Sequence, residues 1–126
     1  MPAHEISEKH FFCNALNTYL MEKFNYKTSC TSSGLGVNVN ARRHKFDLYI
    51  RIFELGNQYW GGKALVISRI EFNKTRQGHG SELLSFISDF AQEHQYDVIG
   101  IEQASTFSIH SFAEKHGFIR LENSSN

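Results

Sequence analysis

Seven residues, Thr75-Arg76-Gln77-Gly78-His79-Gly80-Ser81, constrain this chain most. They stand between a β-branched, apolar run ending at Phe72 and a helical pattern that begins Glu82-Leu83-Leu84. Strand character returns over Val98 to Gln103, so the three pieces read as a βαβ crossover, whose two strands are parallel. A glycine-rich turn between a strand and a helix also aims several backbone N–H groups at one point, at the positive end of the new helix. That arrangement suits a phosphate or pyrophosphate. Turn chemistry alone puts glycines in the same place, so the surrounding residues decide between the two.

Before the crossover, Ile6, Phe12, Leu16, Leu20 and Phe24 recur at helical spacing and predict an amphipathic helix from about Glu5 to Phe24. Asn25 to Gly36 is rich in Ser, Thr and Gly and reads as a loop entering a weak strand over Leu35 to Asn40. Lys45 to Leu55 alternates, with Phe46, Leu48, Ile50 and Ile52 on one face and Asp47, Tyr49, Arg51 and Phe53 on the other. It pairs with the strand Lys63 to Phe72 as an antiparallel hairpin whose long loop carries Tyr59 and Trp60, residues suited to capping the sheet or lining a cleft. After the turn, Leu83, Leu84, Ile87, Phe90 and Ala91 continue a helix to His94. Phe107 to His116 is expected as a short helix, capped by Ser105 or Thr106 and stopped by Gly117, with a last strand over Phe118 to Glu122. The expectation is one α/β (α+β) domain over residues 1–126, antiparallel strands first and the crossover after them.

The function classes narrow by charge. A formal net charge of zero argues against a general nucleic-acid binder, which needs a basic surface to displace counterions. Arg42, Arg43, His44 and Lys45 are the one basic cluster, read as a solvated loop before a strand, with a phosphate or RNA contact as the sharper alternative. No apolar run approaches the ~20 residues of a membrane span. Met1-Pro2-Ala3-His4-Glu5 lacks the order of a signal peptide, so a cytoplasmic protein is expected. Cys13 and Cys30 form no CxxC, and none of the seven histidines falls at i, i+4 with another, so no metal site is expected.

The strand Leu65 to Phe72, the turn Arg76-Gln77-Gly78-His79-Gly80-Ser81 with its helix, and Glu114-Lys115-His116-Gly117-Phe118 together resemble the acyl-CoA-binding half of the GNAT N-acetyltransferases. The resemblance covers about half the chain, from Lys63 to Phe118. It implies a GNAT-like mixed sheet with helices packed on both faces, and acetyl-CoA or another acyl-CoA as cosubstrate. By the same resemblance, backbone N–H groups of Gln77, Gly78, His79, Gly80 and Ser81 bind the CoA pyrophosphate, and Arg76 adds a charge. The preceding strand splays from its neighbour and pairs with the pantetheine amides, which falls on Ile70 and Phe72 with Glu71 between them.

Four positions depart from that family's pattern. Thr75 stands where Gln or Arg is usual, His79 where an aliphatic residue is usual, and Ala113 where many members carry a tyrosine that protonates the departing thiolate. Thr106 replaces the usual asparagine. Acyl transfer to an amine needs a neutral amine, a polarised carbonyl and outlets for two proton transfers. Glu102, near the C-terminal end of its strand, is the preferred base; Glu71 lies on the face opposite Ile70, which suits a solvated or ion-paired role. Ser68, Ser105, Ser108 and His110 are further proton donors, each with a structural reading beside it.

The expected function is transfer of an acetyl group from acetyl-CoA to an amine of a small molecule or protein. The alternative is a GNAT-fold module that binds CoA or a protein partner without turnover. The chain stops soon after Phe118, and a second copy covering the sheet edge, as a homodimer, is the expected remedy.

Overall fold

The i, i+4 spacing of Phe12, Leu16, Leu20 and Phe24 produces α1 (Glu8–Phe24), with all four side chains buried. Asn25 ends it in the left-handed conformation at φ 61°, and the Tyr26 N–H donates back to the Met21 carbonyl at 3.1 Å. That is a Schellman-type stop made with asparagine in place of glycine. A computed structural model describes this helix within residues 8–34, 36–54, 62–74, 77–102 and 119–121.

Four antiparallel strands follow in order: β1 (Thr31–Ser33), β2 (Asn38–Arg43), β3 (Phe46–Phe53) and β4 (Ala64–Phe72). After α2 (His79–Glu93), β5 (Val98–Glu102) pairs parallel with β4, and β6 (Ile119–Leu121) pairs parallel with β5. The result is a mixed six-stranded sheet in the order β1-β2-β3-β4-β5-β6. The expected hairpin of β3 with β4 and the expected crossover are both present.

Strand alternation decides which face meets the helices. Val39, Ala41, Phe46, Leu48, Ile50, Ile52, Leu65 and Ile67 are buried in one cluster with the apolar stripes of α1 and α2. Phe12 meets Phe90 edge-on at 5.1 Å, and Tyr19 stacks on Phe86 at 4.6 Å, so the two helices lie side by side on this face. Ala64 and Val66 face the other way, with Phe53 and Val98 against them. The third helix expected over 107–116 lies outside the described residues, as do Tyr59 and Trp60.

Three boundaries differ from the sequence reading. Thr31–Ser33, placed in a loop, forms an edge strand on β2, because its backbone finds partners at Val39 to Ala41 although its side chains show no apolar period. Arg42 and Arg43 end β2, paired with Asp47 and Phe46, and only His44 and Lys45 turn. The basic cluster is therefore the tip of a hairpin. Finally, α2 begins at His79, four residues before the apolar stripe, which starts at Leu83.

Candidate functional site

The β4 strand is paired along its whole length with β3, from Ala64↔Phe53 to Phe72↔Phe46. With β5 it pairs over Ala64 to Ile67, the last pair being Ile67↔Ile101. From Ser68 to Phe72 no described strand occupies the β5 side of β4. The departure coincides with a bulge: Tyr49 faces Arg69 and Ile50 faces Ile67, leaving Ser68 as the extra residue. An extra residue bends and twists its strand, and the last described β4–β5 pair, Ile67↔Ile101, immediately precedes it.

The end of β4, Arg69 to Phe72, runs towards the glycine turn. Gly78 takes φ 79° and ψ 6° as the N-cap of α2, and no side chain caps the helix. Glu82 N–H returns to the Gly78 carbonyl at 3.0 Å, whereas the N–H groups of His79, Gly80 and Ser81 precede the first intrahelical bond. A Cβ at Gly80 would meet nothing within 4 Å, so packing does not require glycine there. In a helix, glycine is about 1 kcal/mol less favourable than alanine. Its bare backbone leaves a flat approach to the three N–H groups.

His79 faces inward. Its ring lies 5.0 Å from Phe24 and 5.4 Å from Phe72, filling the place of an aliphatic residue, and its buried Nδ1 has no hydrogen-bond partner among the described residues. The side chain therefore packs the turn onto the core while the backbone stays outside. Gln77, Gly78 and Ser81 are exposed. Next to them, Glu82 is paired with Lys23 of α1, whose hydrogen bond and charge hold the carboxyl below its ordinary range.

Ile70 and Phe72 are half-buried on the helix side of β4, and Glu71 is exposed on the opposite side, as alternation requires. Glu71 stands across from Asp47, which is drawn instead to Arg69 at 3.5 Å and Arg42 at 3.7 Å. Glu102 ends β5, one position beyond the last β4–β5 pair, with its backbone in register with Leu121. Its backbone thus lies one residue past the last described β4–β5 pair. Thr75, Arg76, Ser105, Thr106, Ser108, His110, Ala113 and the run 114–118 lie outside the described residues.

Cys30 offers no activated nucleophile. Burial pushes the Cys30 thiol up, against a smaller opposing pull from Arg43, and Cys13 donates to the Thr31 hydroxyl at 3.3 Å. No group of His, Cys, Asp and Glu among the described residues could hold a metal ion. No described helix is long and apolar enough to cross a membrane.

Ser68 as a bulge and Lys45 beside the turn were not anticipated from sequence. For Ser68 the signal was its place as the first polar residue after the apolar run Ala64 to Ile67. For Lys45 there was none, since its nearness depends on strand pairing. No protein-family model matches this chain, and no curated protein matches it.

Proposed function

We propose that the chain is an acyl-CoA-dependent N-acetyltransferase of GNAT type, acting in the cytoplasm on an amine of a small molecule or protein. The observation that carries this reading is the stretch of β4 from Arg69 to Phe72, beside which no described strand lies on the β5 side, leading to the uncapped start of α2. An extended ligand carrying amides at one end and a diphosphate at the other matches both parts. Amides pair with a strand edge as an added strand does. Anions favour a helix N-terminus with bare N–H groups.

On this reading, backbone groups around Ile70, Glu71 and Phe72 hold the pantetheine arm. Those of Gln77, Gly78, His79, Gly80 and Ser81 hold the pyrophosphate, and Arg76 adds charge. Acetyl-CoA, when bound, supplies a thioester near the Ile67↔Ile101 divergence. Glu102 is the group there to take the proton lost by the amine as its nitrogen bonds to the acyl carbon. The carbon–sulfur bond breaks and the thiolate is protonated on leaving, giving an amide and free CoA.

A second reading keeps the cofactor site without turnover, as a CoA-binding or protein-interaction module. Ala113, in place of the thiolate-protonating tyrosine, favours it. Thiol release from acetyl-CoA over a panel of amines separates the two. Turnover that falls at least about a hundredfold in Glu102→Gln supports the enzyme with this base; tight binding without turnover on any amine supports the module. A homodimer with the second copy across the outer edge of β6 completes the proposal, since no described strand covers that edge. Sedimentation across micromolar concentrations tests it, and a strictly monomeric species rejects it.

A further inference from the structure

We infer that Lys45, in the β2–β3 turn, and Lys74, just after β4, form a second anion contact on the same ligand and receive the phosphate monoester that distinguishes CoA from dephospho-CoA. This rests on the cofactor reading above. The basic cluster that looked like a solvated loop lies at the corner of the molecule where the glycine turn starts. Asn73 N–H donates to the Lys45 carbonyl at 3.0 Å, extending the β3–β4 pairing beyond Phe46↔Phe72, so that Lys45 stands across from Asn73, the chain neighbour of Lys74. The Lys45 ammonium donates to the Phe24 carbonyl at 3.3 Å, and the Phe24 ring lies 5.0 Å from that of His79, the first residue of α2.

Charge at this corner is unbalanced although the chain as a whole is neutral. Lys23 is matched by Glu82 and Arg42 by Asp47. Among the described residues Arg43 bonds uncharged oxygens, the Thr28 hydroxyl at 2.7 Å and carbonyl at 3.2 Å and the Ser29 carbonyl at 2.6 Å, while covering the Tyr26 ring at 4.6 Å. The Lys45 ammonium lies over the same ring at 5.5 Å, which fixes its position while leaving donors to spare. Lys74 is exposed. A phosphate monoester carries about two negative charges near neutral pH, which two ammonium groups match.

The test is calorimetric titration of the wild-type chain and of Lys45→Gln, Lys74→Gln and the double variant with CoA and with dephospho-CoA. We expect the wild type to bind CoA at least about tenfold more tightly than dephospho-CoA. In the double variant the ratio falls to within about twofold, with affinity for dephospho-CoA unchanged. A wild-type ratio near one, or a ratio kept in the double variant, overturns the inference and leaves the cofactor reading standing. Failure of the wild type to bind either ligand overturns both.

Discussion

The rings of Phe72 and His79 lie 5.4 Å apart at an interplanar angle of 48°, joining the last residue of β4 to the first residue of α2 across the glycine turn. Phe24 of α1 completes the contact, 5.9 Å from Phe72 and 5.0 Å from His79. The backbone of the turn is thereby anchored from inside, so its outward N–H groups are held in place before any ligand arrives. Such preorganisation lowers the ordering cost of binding.

His79 contributes through shape, not hydrogen bonding. Its Nδ1 is buried without a described partner, a situation that costs about 1–3 kcal/mol per group. His79→Leu keeps the apolar fill and removes the stranded nitrogen, so stability should rise by about 1 kcal/mol, read as a higher urea midpoint. On the proposed reading, in which backbone groups hold the cofactor, its affinity should stay unchanged. A lower midpoint would mean that the imidazole makes a bond that holds the turn.

Gly80 should separate stability from binding. With open space at its Cβ position, Gly80→Ala is expected to stabilise α2 by about 0.5–1 kcal/mol, while the added methyl group obstructs the approach to the helix N-terminus. Thermal melting should move up and acetyl-CoA affinity down in the same variant. Gly78→Ala behaves differently, since φ 79° strains any side chain, and should lower stability by about 1 kcal/mol. Equal loss of stability in both would contradict the assigned geometry.

The pH dependence of stability should show a loss in alkali. Burial, helped by the Glu82 charge, pushes Tyr19 up to about 12. Burial and the hydrogen bond from Tyr96 to Glu8, 3.2 Å long, raise Tyr96 further. In the unfolded chain both phenols ionise near pH 10, as ordinary tyrosines do. The folded state holds their protons to higher pH. Their contribution is therefore complete below pH 10 and is lost as pH rises through the folded values, from about 10 to 12 for Tyr19. Denaturation midpoints measured across this window should fall, and the fall should be shallower in Tyr19→Phe. An identical slope in the variant would remove Tyr19 as a contributor.

Leu16→Ala tests the helix-covered face. Leu16 is fully buried in the cluster that joins α1 to the sheet, and its truncation should cost about 2–5 kcal/mol in chemical denaturation. A loss below about 1 kcal/mol would mean that α1 packs more loosely than its burial indicates.

In the sequence β4 was legible as an apolar run whose first four residues are buried on both faces, and periodicity made α1 and β3 legible, because each buries one face. It failed at Thr31–Ser33, a polar edge strand formed by backbone pairing alone, and at Arg42 and Arg43, whose charges mimic a loop while their backbone completes β2. The start of α2 was hidden because His79 and Gly80 are weak helix formers and the apolar stripe begins only at Leu83. The glycine turn and the side alternation of Ile70, Glu71 and Phe72 could be read directly. The end of β4–β5 pairing at Ile67 could not, because strand divergence depends on which backbones meet and leaves no mark on residue type.

The central claim is that a CoA thioester lies along β4 and ends on the first turn of α2. It is tested most directly by following backbone amide resonances as acetyl-CoA is added. The resonances of Ile70, Phe72, Gly78, His79, Gly80 and Ser81 should shift together and saturate at one common affinity, while those of β1 and β2 stay fixed. No shift at millimolar acetyl-CoA, or shifts confined to residues away from this edge and turn, would contradict the claim.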